Sequence, residues 1–193
     1  MKKILSINLA NYSSTGSIMI NISKTAENSG YMTYVACSGH KENLKHRIPG
    51  QIIIGSKLER NLEILTDKLT GLDSCVYPVG TKLFVKRIKK IKPDLIHLHN
   101  LHGGFINIKV LFPELRKMGV PIIWTLHDCW SFTGHCPYFD MVRCEKWTTG
   151  CHDCTNMGVY PKIYSDRTKY MWNLKRELFR PKGDCPWRTD AAA

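Results

Sequence analysis

Three histidines within one short stretch (His97, His99 and His102), a fourth beside an aspartate (His127–Asp128), and four cysteines further on (Cys136, Cys144, Cys151 and Cys154) are the residues best equipped for chemistry in this chain. A neutral imidazole takes up or releases a proton near pH 7 and hydrogen-bonds a hydroxyl or a phosphate. Of these histidines, His127 has the strongest claim to a catalytic or ligand-contacting role, because it ends an apolar run and has Asp128 next to it. The cysteines follow the pattern C-x7-C-x6-C-x2-C. Cys151 and Cys154 form a tight pair able to present two thiolates to one tetrahedral ion, and Cys136 and Cys144 would complete a closed set of four around a structural zinc. A closed site has no open coordination position, so it would shape the protein without performing its chemistry. Free thiols, an iron–sulfur cluster and disulfides are the alternatives. A redox pair is disfavoured, since Cys151-x-x-Cys154 follows Gly150 in an irregular loop where a thioredoxin-like motif would open a helix. Trp130, Phe132, Tyr138, Phe139 and Trp147 interleave with the cysteines and either wrap the cluster or offer a stacking face.

The elements that must position these groups read as an alternating α/β chain. The run "KILSINLA" (3–10) is a strand, "NYSSTG" a loop, and Ser17 to Asn28 an amphipathic helix closed by Gly30. Strands follow at 32–39 and 51–56, helices at Leu58–Leu69 and Thr81–Ile91, a strand at 94–100, a helix within 106–119 that tolerates Pro113, and a strand at 121–128. Continuous apolar runs such as "VPIIWTL" suit strands covered on both faces, so the expectation is a doubly wound parallel sheet with helices on both sides. In such sheets ligands bind beyond the carboxyl ends of the strands. Three polar loops fall there: "NYSSTG", "HNLHGG" and "HDCWSFTG". The first lacks both the dinucleotide fingerprint and the Walker lysine, which disfavours a Rossmann dehydrogenase and a P-loop ATPase. Gly16, placed just before a helix N-terminus, would let a phosphate approach free backbone amides. Asn100, His102, Gly103 and Gly104 suit hydrogen bonding to a polyhydroxyl ligand.

With 193 residues, 43% hydrophobic and 23% charged, the chain suits one globular domain, and no apolar run approaches the roughly 18 residues a membrane-spanning helix needs. "MKKILSINLANYSS" reads as a buried strand and not as an export signal, because Asn8 and Asn11 interrupt its apolar run; a cytoplasmic, reducing location is expected. The net charge of +12 attracts polyanions. The segment "TKLFVKRIKKIK" (81–92) sets Lys82, Lys86, Arg87, Lys89, Lys90 and Lys92 against Phe84, Val85, Ile88 and Ile91. It is either the solvated face of a sheet-covering helix or a basic amphipathic surface for anionic lipid.

"PDLIHLHNLHGGFINIKVLFPELRKMGVPIIWTLHDCWSFTGHCPYF" followed by "CEKWTTGCHDC" closely resembles the N-terminal domain of family 4 glycosyltransferases, in the bacterial polysaccharide-biosynthesis branch with a cysteine-rich insert. The resemblance runs from residue 1 to Phe179, with the insert at 129–160. It implies the acceptor-side half of a GT-B fold, retention at the anomeric carbon, and no divalent metal in catalysis. It also implies a nucleotide-sugar donor held mostly by a second domain, and a saccharide or lipid-linked saccharide acceptor; a lipid-linked acceptor also suits the basic surface, with peripheral contact at the inner face of the plasma membrane. Carried over position by position, it places Gly16 near the donor phosphates, His127 at the transferred sugar, and Asn100, His102 and Asp128 on the acceptor and sugar side.

The family continues into a donor-binding domain, and the end "RPKGDCPWRTDAAA" (180–193) has no hydrophobic period and no family counterpart. The expectation is a disordered tail on a truncated or frameshifted product that is inactive by itself. Reading the DNA past the Phe179 codon in all three frames tests that expectation. The competing reading is a zinc-stabilised nucleic-acid-binding module, motivated by the charge and the cysteines; the basic residues are spread along the chain without an RNA-binding or helix-turn-helix signature, so nucleic acid is not the expected partner.

Overall fold

The computed structural model describes residues 1–180, so the tail expected from 180 onward lies, from residue 181, outside the described residues. Five strands form one parallel sheet: β1 (Lys3–Ile7), β2 (Met32–Ser38), β3 (Ile52–Ile54), β4 (Leu95–Leu98) and β5 (Ile122–Trp124), in the order β3-β2-β1-β4-β5. Helices α1 (Ser13–Asn28), α2 (Lys41–Lys45), α3 (Lys57–Thr70), α4 (Val79–Ile91), α5 (Ile108–Met118), α6 (Lys146–Thr149) and α7 (Thr168–Phe179) complete the described chain. The expected α/β class, a parallel sheet with helices around it, is the one observed.

Right-handed crossovers fix the layering. The chain steps one way from β1 through α1 to β2 and the other way from β4 through α5 to β5, so these two helices cover opposite faces. Helices α4 and α7 pack against α5, and α1 against β1 and β2. The core lies between: Leu5 and Ile7 of β1, Ile96 and Leu98 of β4, and Leu111 and Phe112 of α5 are fully buried. Each such aliphatic side chain contributes about 1.5–3 kcal/mol by leaving water.

Local chemistry sets the helix ends. Ser56 Oγ accepts the Glu59 N–H at 3.0 Å to start α3, and Gly71, at φ 70°, closes it in the left-handed conformation. Asn107 Oδ1 does the same for α5 through the Val110 N–H at 3.1 Å. Pro113 sits inside α5 as expected.

Two expectations need correction. Helix α1 begins at Ser13 and not at Ser17, so Gly16 lies inside it. The strand expected over 121–128 stops at Trp124 and is the sheet's edge, with Ile123 half exposed; it is not covered on both faces. The helix expected at Leu58–Leu69 is α3, and it turns Glu63 and Asp67 inward while Leu58, Leu62, Leu65 and Leu69 face solvent along one stripe.

Candidate functional site

The order β3-β2-β1-β4-β5 reverses direction between β1 and β4, and the loops leaving those two strands open the crevice where α/β sheets receive ligands. Asn8 ties the loops together. Its side-chain oxygen accepts the backbone N–H groups of Leu9 (3.0 Å) and Asn100 (3.1 Å), while Leu9 N–H donates to the Asn100 carbonyl at 3.0 Å. The segment 99–107 after β4 and the segment 125–131 after β5 then lie side by side.

Two side-chain pairs bridge those segments. His99 Nδ1 and His127 Nε2 stand 2.9 Å apart, with the rings stacked at 5.2 Å between centroids. His102 Nε2 and Asp128 Oδ2 are also 2.9 Å apart. Asp128 Oδ1 accepts the Trp130 N–H at 2.9 Å as well. Burial by itself would raise the pKa of Asp128, but the bonds from His102 and Trp130 outweigh it and hold the carboxyl below its usual range. An ionised carboxylate only accepts, so His102 Nε2 must be the donor.

The histidines behind this front are neutral. Burial, helped by His97 and His127, pushes His99 down to about 3, and burial also lowers His97 and His127. His97 Nε2 reaches Thr125 Oγ1 at 2.8 Å, and its ring lies 4.2 Å from that of His99, two residues on along the strand and so on the same face. His99 Nε2 is buried with no hydrogen-bond partner. The neighbours His127 and Asp128 therefore serve different partners. His99, His102, Asn100, His127 and Asp128 line one pocket with Trp130.

Gly103 and Gly104 are also required by the backbone and its packing. Both have positive φ (93° and 69°), and a Cβ at Gly104 would stand 2.9 Å from Ile64 of α3. They are there for backbone conformation and close packing. Gly16 is likewise explained by proximity: a Cβ would meet the Asn11 carbonyl carbon at 2.7 Å, which holds the loop after β1 tight against α1.

The cysteine-rich insert folds against α7. Cys136, Cys144, Cys151 and Cys154 line one pocket together with His135 and Thr168. Cys136 is pushed up to about 11 by burial and by its three cysteine neighbours, and Cys151 Sγ accepts the Gly134 N–H at 3.1 Å. All described cysteines are free thiols, and among the described residues no group of three or more potential ligands stands in metal-holding geometry. Trp130, expected only to pack or stack, is the keystone. Its indole N–H donates to Asp73 Oδ2 at 2.6 Å and its carbonyl accepts from Lys175 Nζ at 2.7 Å, with the ammonium 3.8 Å from the ring.

Lys175 is 1% exposed, and burial pushes it down to about 8 against the pull of Asp73. Sequence reasoning passed over it, because on α7 it reads as one more basic helix residue. Asp73, Arg60 and Tyr160 were missed for a similar reason: each sits in a segment with no motif.

No family model matches the chain. Over 156 residues, 78% of its length, the chain is 32% identical to a protein of Escherichia coli (strain K12) that carries the name colanic acid biosynthesis glycosyl transferase WcaC. The matched region spans 38% of that relative's length.

Proposed function

We propose that this chain is the acceptor-side domain of a nucleotide-sugar-dependent, retaining glycosyltransferase of bacterial cell-surface polysaccharide biosynthesis, of the family 4 type with a GT-B architecture. The observation that carries the reading is the convergence of the two bridged pairs, His99–His127 and His102–Asp128, at the carboxyl edge of a parallel sheet, in a chain similar to a named glycosyl transferase over most of its length.

The side chains suit that work. Asp128 holds His102 with one ring nitrogen as donor, leaving the opposite nitrogen to accept from an acceptor hydroxyl. His127, half-buried at the front of the stack and backed by neutral His99, presents an uncharged imidazole to the transferred sugar. Asn100 adds a side-chain amide at the same pocket. Gly16 keeps the loop after β1 close to α1, the side from which donor phosphates would be met.

The four cysteine thiols are the donor set for a structural zinc, with the Gly134 N–H already aimed at one sulfur. Bound there, the ion would fix the wall beside the site. No helix among the described residues is long and apolar enough to cross a membrane. The exposed Lys82, Lys86, Arg87 and Lys90 of α4, with the leucine stripe of α3, suit peripheral contact with an anionic membrane surface that carries a lipid-linked acceptor.

The test is saccharide binding by this chain, followed by calorimetry with a lipid-free oligosaccharide acceptor panel. Saturable binding, weakened at least tenfold by His102→Ala, is expected. Sugar transfer is expected only when the chain is joined to the remaining part of the Escherichia coli relative, and His127→Ala should abolish it. Failure of every saccharide to bind sinks the reading, and transfer by the chain alone would show that it needs no second domain.

A further inference from the structure

Arg60 of α3 lines a second pocket at the same sheet edge, together with Gly55, Tyr77, Gly104 and the glutamates Glu59 and Glu63. Its Nε is buried and without a hydrogen-bond partner, and its side chain makes no ion pair among the described residues. Both glutamates are taken up by backbone donors and neither pairs with Arg60. Glu59 accepts the Gly80 N–H through both oxygens at 2.8 and 3.0 Å, and Glu63 accepts the N–H groups of Cys75, Val76 and Tyr77 at 2.7, 2.9 and 2.6 Å. Burial pushes the Arg60 guanidinium below its ordinary value, and no carboxylate counters it.

A partly desolvated guanidinium without a counter-anion is costly, and the fork of N–H donors matches an oxyanion. Gly104, which lines this pocket, is two residues after His102 of the first site, and the Tyr160 ring meets His102 edge-on at 6.5 Å.

We infer that Arg60 forms an anion subsite that takes a phosphate or carboxylate group of the acceptor, while His102–Asp128 holds a hydroxyl of the same molecule. Assignment of the anion to the acceptor rests on the glycosyltransferase reading; the existence of the subsite does not.

The experiment titrates inorganic phosphate and, separately, glucuronate into the full chain at fixed ionic strength, following the backbone amide resonances of Gly55 and Gly104. Saturable shifts with at least one of the two are expected, and which of them binds identifies the group. Arg60→Gln should weaken that binding at least tenfold, Arg60→Lys should weaken it less, and Lys24→Gln on the far helix α1 should leave it unchanged. Absence of saturable shifts with both anions, or equal affinity in a folded Arg60→Gln protein, would overturn the subsite, as would the same loss in Lys24→Gln. Anion binding without saccharide binding would keep the subsite and discard the glycosyltransferase reading, and saccharide binding without anion binding would do the reverse.

Discussion

Asp128 hydrogen-bonds His102, which is 26 residues earlier in the chain, at 2.9 Å, while its sequence neighbour His127 turns to His99 at the same distance. The His-Asp dipeptide thus joins the segment after β5 to the segment after β4, with one imidazole oriented by a carboxylate and the other by a second imidazole.

Replacing Asp128 by asparagine should release the tautomer of His102 while leaving the fold in place. Long-range 1H–15N spectra of the imidazole are expected to show the proton on Nε2 in the native protein and a tautomer mixture in Asp128→Asn. His102→Ala, which deprives the buried carboxylate of a donor, should cost about 1–3 kcal/mol of stability in denaturant titration. An unchanged tautomer in Asp128→Asn would contradict the orienting role.

His99 should remain neutral far into acid. Its folded acid constant is near 3 while the unfolded one is the ordinary 6.5, so folding must release its proton at any pH between them. The contribution to stability is complete above pH 6.5 and falls by about 1.4 kcal/mol per pH unit as the pH drops towards 3. Titration of the ring carbon shifts checks this directly. A midpoint near 6.5 for His99 would mean that the pocket is wetter than its 1% exposure indicates.

Metal analysis of protein purified without chelator should find about one zinc per chain, as a closed four-thiolate site requires. Chelation at elevated temperature should release it and make Cys136, Cys144, Cys151 and Cys154 reactive towards iodoacetamide together, with a lower melting temperature. Metal-free protein with four fully reactive thiols and unchanged stability would leave them as packing residues.

Lys175→Met tests the buried ammonium. In the native protein this lysine's acid constant lies below its unfolded value of 10.5, at about 8, so burying its charge costs stability below pH 8 and that cost vanishes as the pH rises to 10.5. The stability of the native protein relative to Lys175→Met should therefore grow by roughly 3 kcal/mol across that interval. At neutral pH the variant should still be less stable, because the carbonyls of Trp130 and Thr133 lose their donor. A gap that does not vary with pH would mean that Lys175 titrates normally.

The strand and helix order of this protein was written in the sequence, because burial on a parallel sheet demands apolar runs such as "LIHL" and "VACS" and the turns between them carry their own signals in Ser56, Gly71, Asn107 and Gly119. So was the gathering of His99, His102, His127 and Asp128 on one edge, since every strand of a parallel sheet delivers its carboxyl end to the same side. Four cysteines sharing one pocket also followed from spacing and loop length. Partner choice was not legible. Whether His127 meets Asp128 or His99, and whether Gly104 faces a ligand or Ile64, depends on how two loops from separate strands settle against each other and against α3. Nor did local pattern mark Lys175, which looks like a surface lysine until the insert closes over it, or Arg60, whose missing partner is visible only once Glu59 and Glu63 are seen to be occupied. Sequence periodicity assigns residues to faces and edges; the donors and acceptors left over after the backbone is satisfied are decided by tertiary packing alone.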